Sequence, residues 1–198
     1  MEFFDIPDSV LAYSNVGGFG IDGNISSLIG ASLADFKKLY FGILGDLAFF
    51  YDLNSIGNYH VGKNVRIMLI NNGRGTEFRN YNHFAQRFNE DADAYMAAAG
   101  HYGNKSQTLI KHYAEDLGYE YLCASDKESF LMASERFLTK DFTEQPMIFE
   151  IFTESKDESD ALYTIRNLEI DALSSGKNIV KKIVGDKGIN IVKKIVGR

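Results

Sequence analysis

Short apolar runs alternate along the chain with segments of helical periodicity. The runs are rich in β-branched and aromatic residues, so we interpret them as strands. They are SVLAYS, KLYFGIL, NVRIMLI, YEYLCAS and PMIFEIF. The segments between them repeat apolar residues three and four positions apart, as the buried face of a helix requires. They are NISSLIGASLADF, LAFFYDLNSIGNY, SQTLIKHYAEDLG and DKESFLMASERFL.

This alternation predicts the α/β class, with a three-layer αβα arrangement and a mostly parallel sheet. Strands separated by helices join parallel neighbours through right-handed crossovers, which place helices on both faces of the sheet. NVRIMLI is almost entirely apolar, which is typical of a strand covered on both faces. Two helix ends are also predicted: Asp126 is expected to cap the start of one helix, and Gly118 to end another.

The composition divides the chain into two parts, which we expect to be an αβα domain over residues 1–155 and a C-terminal extension over 156–198. The extension contains the segment NIVKKIVG twice, at 178–185 and at 190–197. Its spacing favours a basic amphipathic helix, although its β-branched content also fits a hairpin closed at GDKG. Docking on the body or on another subunit is the plainer role for it, and binding to a membrane surface or a partner is the alternative.

The charge is unevenly distributed. The whole chain has a formal net charge of −6, while residues 174–198 carry seven basic residues and one acid, so the remainder is at −12. Because nucleic-acid binding needs a positive surface, we expect no nucleic-acid partner. No segment has the roughly 18 uninterrupted apolar residues that span a bilayer, so a membrane protein is not expected either.

Cysteine usage and the N-terminus indicate a cytoplasmic protein. The single cysteine, Cys123, has no internal partner for a disulfide, and a buried, inert thiol is expected in the strand YEYLCAS. The stretch MEFFDIPDSV lacks the basic and apolar regions of a secretory signal.

Polar residues follow two of the predicted strands directly. Gly45-Asp46 follows KLYFGIL, and Asn71-Asn72 follows NVRIMLI and begins the sequence NNGRG. A plain turn explains an Asn-Gly sequence by itself, because both residues tolerate positive φ. Asp46 and Asn72 are 26 positions apart, however, which suits neighbouring strands joined by one helix, and ligands bind at the carboxyl ends of parallel strands. A carboxylate and an amide oxygen suit Mg²⁺ or Ca²⁺.

The GD pair followed after about 25 residues by NN resembles the thiamine-diphosphate motif. Further stretches support the resemblance in order and with fitting gaps, namely YSNVGGFGIDG at 13–23 and GDLAFFYDLN at 45–54. It covers roughly residues 10–155 and is greatest to the menaquinone-pathway succinyl-enolpyruvyl-cyclohexene-carboxylate synthases and to acetolactate-synthase-like enzymes. The resemblance implies the thiamine-diphosphate-binding fold of the diphosphate-binding domain.

It also implies a set of site residues, with thiamine diphosphate and Mg²⁺ as cofactors. Asp46 and Asn72 would bind Mg²⁺ through their side chains, and Arg74 through its backbone carbonyl. The carbonyl of Gly20 would accept a hydrogen bond from the 4′-amino group of the cofactor, and Ile21 would support its bent shape. Gly45, Leu47 and Ala48 would line the diphosphate, and Gly75 would be a further cofactor-binding residue.

The chain departs from the family pattern at two positions. Ala48 stands where relatives often have serine, and Val16 stands where the menaquinone enzymes have an arginine for substrate carboxylates. The family's pyrimidine-binding domain, which supplies a glutamate, is absent from these 198 residues. We therefore expect a partner domain or subunit, a homo-oligomer, and no turnover by the chain alone. No catalytic residue is assigned.

The expected function is the Mg-dependent thiamine-diphosphate-binding part of a 2-oxo-acid decarboxylase or carboligase. The alternative is a non-catalytic interaction or regulatory module that retains the fold.

Overall fold

Four parallel strands form one sheet in the computed structural model, which describes residues 6–79, 83–92, 95 and 105–168. In chain order the strands are β1 (Tyr40–Gly45), β2 (Val65–Asn71), β3 (Glu120–Ala124) and β4 (Met147–Phe152). The order across the sheet is β1-β2-β4-β3. The helices are α1 (Asn24–Ser32), α2 (Asp46–Tyr51), α3 (Leu109–Asp116) and α4 (Lys127–Phe137). Short 3-10 turns occupy Gly17–Gly20, Leu53–Gly57, Thr76–Arg79 and Phe84–Ala92.

The strands end at one common edge of the sheet. Gly45 at the end of β1 pairs with Ile70 on β2, and Ile70 pairs with Ile151 on β4. Four of the five predicted strands are therefore present, all parallel, which confirms the predicted sheet. The polar residues that follow β1 and β2 are brought to the same edge.

Two apolar clusters cover the two faces of the sheet. Alternate residues of β2, such as Ile67 and Leu69, pack with α1, α2 and α3 in the first cluster. Phe149 of β4 packs with Phe137 of α4 in the second cluster. Helices thus cover both faces, and the predicted three-layer α/β fold is confirmed.

Helix ends follow the local sequence chemistry. Asp126 accepts a hydrogen bond from the backbone N–H of Ser129, whose own side chain bonds back, so a capping box starts α4. Gly118 has φ +81° just after α3, the left-handed conformation that ends helices. Both predicted ends are confirmed.

The predicted helix LAFFYDLNSIGNY is shorter than expected. It ends at Tyr51 and continues as a 3-10 turn over Leu53–Gly57. The cause lies at Asp52, whose carboxylate accepts hydrogen bonds from Ser26 at the start of α1 and from Ser55. These hydrogen bonds hold Asp52 at φ −115° and ψ 20°, outside helical geometry.

Two further expectations were wrong. Residues 9–14 of SVLAYS form no strand, and the side chains of Leu11 and Tyr13 are 80% and 89% exposed. Without a paired neighbour or a buried face, an alternating apolar segment gains nothing from extension. Cys123 is exposed rather than buried, because β3 is an edge strand of the described sheet.

The chain divides into two compact units, residues 1–155 and 156–198. Of the second unit, residues 156–168 are described, and they are helical. The repeated segments at 178–185 and 190–197 lie outside the described residues. No helix in the described ranges has the length and apolarity needed to cross a bilayer.

Candidate functional site

The ends of β1 and β2 bury a set of polar side chains together. Asp46, which starts α2, is 1% exposed. Asn71 and Asn72 at the end of β2 are 0% and 8% exposed. Burial of three such groups is costly unless each is satisfied, so their contacts define the site.

Asp46 is joined to the turn that follows β2. Its Oδ1 accepts a hydrogen bond from the N–H of Leu47 at 2.9 Å. Its Oδ2 accepts one from the N–H of Gly73 at 2.7 Å. The predicted meeting of the GD and NN segments at the sheet edge is thus present in the structure.

The segment INNGRG does form a turn. Asn71 Oδ1 accepts from the N–H of Gly73 at 3.2 Å, and Asn72 Oδ1 accepts from the N–H of Arg74 at 3.0 Å. Each asparagine therefore bonds the backbone two residues ahead, as in Asx turns. Gly73 has φ +83°, and a Cβ placed on it would lie 2.7 Å from Cγ of Lys105. The turn and the possible ligand role are compatible, because an amide oxygen has two lone pairs.

The oxygen ligands available at this site suit a hard divalent cation that also binds phosphate. Asp46 supplies a buried carboxylate, and Asn72 an amide oxygen. The part of the chain that the structure describes has no group of three or more His, Cys, Asp or Glu residues placed to hold a metal. One carboxylate with neutral oxygens is the kind of protein donor set with which Mg²⁺ binds substrate phosphates.

Residues beside this pair are packed closely. A Cβ on Gly75 would lie 3.0 Å from Cδ2 of Leu47 and 3.0 Å from a ring carbon of Phe78, so glycine permits this approach. Ala48 is 6% exposed and belongs to the first core cluster, so any diphosphate contact would come from its backbone. Gly45 precedes α2 in extended conformation.

Gly20 and Ile21 form a separate group after the first 3-10 turn. Gly20 has φ +74°, and a Cβ there would lie 2.9 Å from the carbonyl oxygen of Asn15. The Gly20 carbonyl accepts a hydrogen bond from Nδ2 of Asn24 at 2.6 Å. Ile21 packs against the first core cluster. Their contact with a cofactor remains a prediction.

A buried glutamate, missed in the sequence, lies behind the turn. Glu150 of β4 is 0% exposed. Its Oε1 accepts from Asn71 Nδ2 and its Oε2 from the Tyr121 hydroxyl, both at 2.6 Å. Burial raises the pKa of Glu150, and the two hydrogen bonds oppose that rise. Burial and the Glu150 carboxylate likewise raise the pKa of Tyr121. Glu150 is the only charged residue of PMIFEIF, which was the available signal.

Lys105 lies against the same turn. Its Nζ donates to the carbonyl of Thr153 and to Oε1 of Glu154, both at 2.5 Å, while its stem contacts Gly73. The lysine thereby connects the turn after β2 with the segment after β4.

Comparisons with known proteins find several relatives of this chain. A 2-succinyl-5-enolpyruvyl-6-hydroxy-3-cyclohexene-1-carboxylate synthase of Bacteroides fragilis is 34% identical over 152 residues, which are 77% of this chain and 26% of that protein. Synthases with the same description from Phocaeicola vulgatus and Flavobacterium psychrophilum are 33% and 30% identical over 81% and 78% of the chain. The aligned residues make up 27% and 26% of the length of these two synthases. No family model matches the chain.

Proposed function

Since the chain belongs to the family of 2-succinyl-5-enolpyruvyl-6-hydroxy-3-cyclohexene-1-carboxylate synthases, we propose that residues 1–155 bind thiamine diphosphate through Mg²⁺. The chain spans about a quarter of the length of these relatives, 26% in the first case. The proposed activity is therefore that of a part: the diphosphate-binding domain of a 2-oxo-acid decarboxylase or carboligase.

The observation that carries the proposal is the hydrogen bond between Asp46 and Gly73. It holds a buried carboxylate against the turn that presents Asn72 and Arg74. Asp46 and Asn72 would bind Mg²⁺ through side-chain oxygens, and Arg74 through its carbonyl oxygen. The buried position of Asp46 strengthens its attraction for the cation, because nearby water screens it less than at the surface.

The remaining predicted residues would hold the organic cofactor. Gly45, Leu47 and Ala48 lie beside Asp46 in sequence and would line the diphosphate. Gly75, three residues after Asn72, would be a further cofactor-binding residue. Gly20 and Ile21 would orient the ring that carries the 4′-amino group. When bound, thiamine diphosphate supplies a carbanion nucleophile and an electron sink, whereas the protein supplies position and charge.

A second component completes the proposed enzyme. A pyrimidine-binding domain or subunit would supply the glutamate that protonates the cofactor ring, and part of the substrate pocket. Val16, in place of the family's arginine, argues for a substrate other than the one in the relatives' name. The homo-oligomeric state and the cytoplasmic location stay predictions.

The test is a thermal-shift measurement of the 198-residue chain with thiamine diphosphate and Mg²⁺. A ligand that binds only the native state raises Tm by mass action, so we expect a concentration-dependent rise. The rise should be absent in Asp46→Asn and retained in Asp35→Asn, which removes the same charge from a surface loop, where Asp35 is paired with Lys38.

Two results would count against the proposal. An unchanged Tm at millimolar cofactor would reject cofactor binding by this chain and favour the non-catalytic module. An equal rise in wild type and Asp46→Asn would place the binding elsewhere on the protein.

A further inference from the structure

We infer that Glu150 is a positioning residue for the metal site, acting through the amide of Asn71 on the turn that holds Asp46. The inference rests on the proposed function, since it concerns how the same site is kept ready for Mg²⁺. Glu150 itself lies behind the turn and would not touch the cation.

The sheet register places Glu150 between its two partners. Glu150 pairs with Leu69 of β2 and with Cys123 of β3. Asn71 is two residues beyond Leu69 and Tyr121 two residues before Cys123, so all three side chains point to the same face of the sheet. This is the face covered by the first core cluster, in which Tyr121 also packs.

The chemistry of the groups fixes the direction of the Asn71 amide. A carboxylate only accepts hydrogen bonds, so the NH₂ group of Asn71 faces Glu150 Oε1 at 2.6 Å. The amide oxygen must then face the opposite way, where it accepts from the N–H of Gly73 at 3.2 Å. A reversed amide would set oxygen against carboxylate and NH₂ against N–H, both repulsive.

The next link reaches the proposed ligand. The N–H of Gly73 is shared between Asn71 Oδ1 and Asp46 Oδ2, the latter at 2.7 Å. The second oxygen of Asp46 accepts from Leu47, so the carboxylate is held at both oxygens. Glu150 therefore influences the orientation of Asp46 through two intervening groups, one amide side chain and one backbone N–H.

If Glu150 only filled space, its substitution would have a different outcome. Burying an ionised carboxylate costs free energy, and an apolar replacement of similar volume is often neutral or stabilising. If Glu150 only filled space, Glu150→Leu would leave the turn and its affinity for metal unchanged. If it positions the turn, Glu150→Leu would loosen Gly73 and weaken metal binding whatever happens to Tm.

The experiment compares wild type, Glu150→Leu and Glu150→Gln in the full 198-residue chain. Glutamine keeps a carbonyl acceptor for Asn71 while losing the charge. The first measurement is hydrogen exchange of the Gly73 amide by NMR without cofactor. The second is the affinity for Mn²⁺ in the presence of thiamine diphosphate, followed by electron paramagnetic resonance. Tyr119→Phe is the control, because it removes a buried hydrogen bond to the carbonyl of Ile56, which lies in the 3-10 turn after α2 and not in the turn after β2.

We expect Glu150→Leu to speed exchange of the Gly73 amide about tenfold, as expected for loss of one buried hydrogen bond, and to weaken Mn²⁺ binding by a similar factor. Glu150→Gln and Tyr119→Phe should stay within about twofold of wild type in both measurements, because neither variant removes a hydrogen-bond acceptor from Asn71. An unchanged exchange rate of the Gly73 amide or an unchanged Mn²⁺ affinity in Glu150→Leu would overturn the inference. Equal effects in Glu150→Leu and Glu150→Gln would also overturn it, because they would assign the effect to the charge of Glu150.

Failure of the proposed function is distinguishable from failure of this inference. If wild type binds no Mn²⁺ with thiamine diphosphate, the cofactor proposal is rejected and, with it, the role of Glu150 toward metal. The exchange of the Gly73 amide would still decide whether Glu150 holds the turn.

Discussion

The backbone N–H of Gly73 lies 2.7 Å from Oδ2 of Asp46, which joins two strand ends that are 27 positions apart in the chain. The backbone at Gly73 is in the left-handed region, with φ +83°. A β-carbon is disfavoured there both by that conformation and by the stem of Lys105.

Gly73→Ala should therefore destabilise the protein by more than conformational strain alone. We expect a loss of about 2 to 3 kcal/mol in the free energy of unfolding, since the left-handed conformation costs about 1 to 2 kcal/mol for a non-glycine residue and steric overlap adds to it. Urea denaturation followed by circular dichroism measures the loss.

Gly118→Ala is the matched control for this substitution. Gly118 has φ +81°, and a Cβ placed on it would meet nothing within 4 Å, so only the conformational cost of about 1 to 2 kcal/mol applies. Adding Lys105→Ala to Gly73→Ala should recover part of the difference. Equal losses at the two glycines would show that the contact with Lys105 carries no cost.

Asp52 should make a pH-dependent contribution to stability. It accepts hydrogen bonds from the N–H and hydroxyl of Ser26 and from the hydroxyl of Ser55. Partial burial raises the pKa of Asp52, but these hydrogen bonds outweigh it, so the pKa lies below its usual value of 3.8. Because the folded pKa is the lower one, the stabilisation is present above pH 3.8 and is lost as pH falls through the folded pKa.

Asp52→Asn tests that contribution. The variant should lose about 1 kcal/mol at neutral pH, the value of one net hydrogen bond. The difference from wild type in urea denaturation should shrink as pH falls below 3.8. A difference that grows toward acid would contradict the assignment.

Arg66 should be among the costliest residues to replace. Its side chain is fully buried, and its guanidinium donates to the carbonyls of Phe137, Thr139 and Asp141 at 2.7, 2.5 and 2.8 Å. Arg66→Met would remove the donor to carbonyls at the end of α4 and in the residues after it, for a loss of about 3 kcal/mol in the free energy of unfolding by urea. Arg136→Met removes the same charge from a surface pair with Glu120 and should have a much smaller effect.

Much of the fold followed from periodicity and local chemistry. Apolar runs such as NVRIMLI identified the strands, and Asp126 and Gly118 marked helix ends because capping depends on residues close in sequence. The proximity of Asp46 to the asparagine turn was also predictable, since parallel strands end at the same edge.

The errors came from features that depend on distant residues. SVLAYS has the apolar composition of a strand, but the segment has no paired neighbour in the described residues. The early end of α2 depends on the contact of Asp52 with Ser26, and the exposure of Cys123 on the position of β3 at the sheet edge. The role of Glu150 depends on register, because Asn71 is 79 positions away in the chain.

The guanidinium of Arg66 also has a consequence for the cooperativity of unfolding. It ties the first part of β2 to the end of α4 across more than 70 positions of sequence, 71 for Phe137. If the end of α4 and the residues after it opened alone, a buried cation would be left without its acceptors, so that opening is strongly disfavoured. The amide hydrogens of the last turn of α4 are therefore expected to exchange with solvent at the same rate as those of the central sheet, because the two open as one cooperative unit.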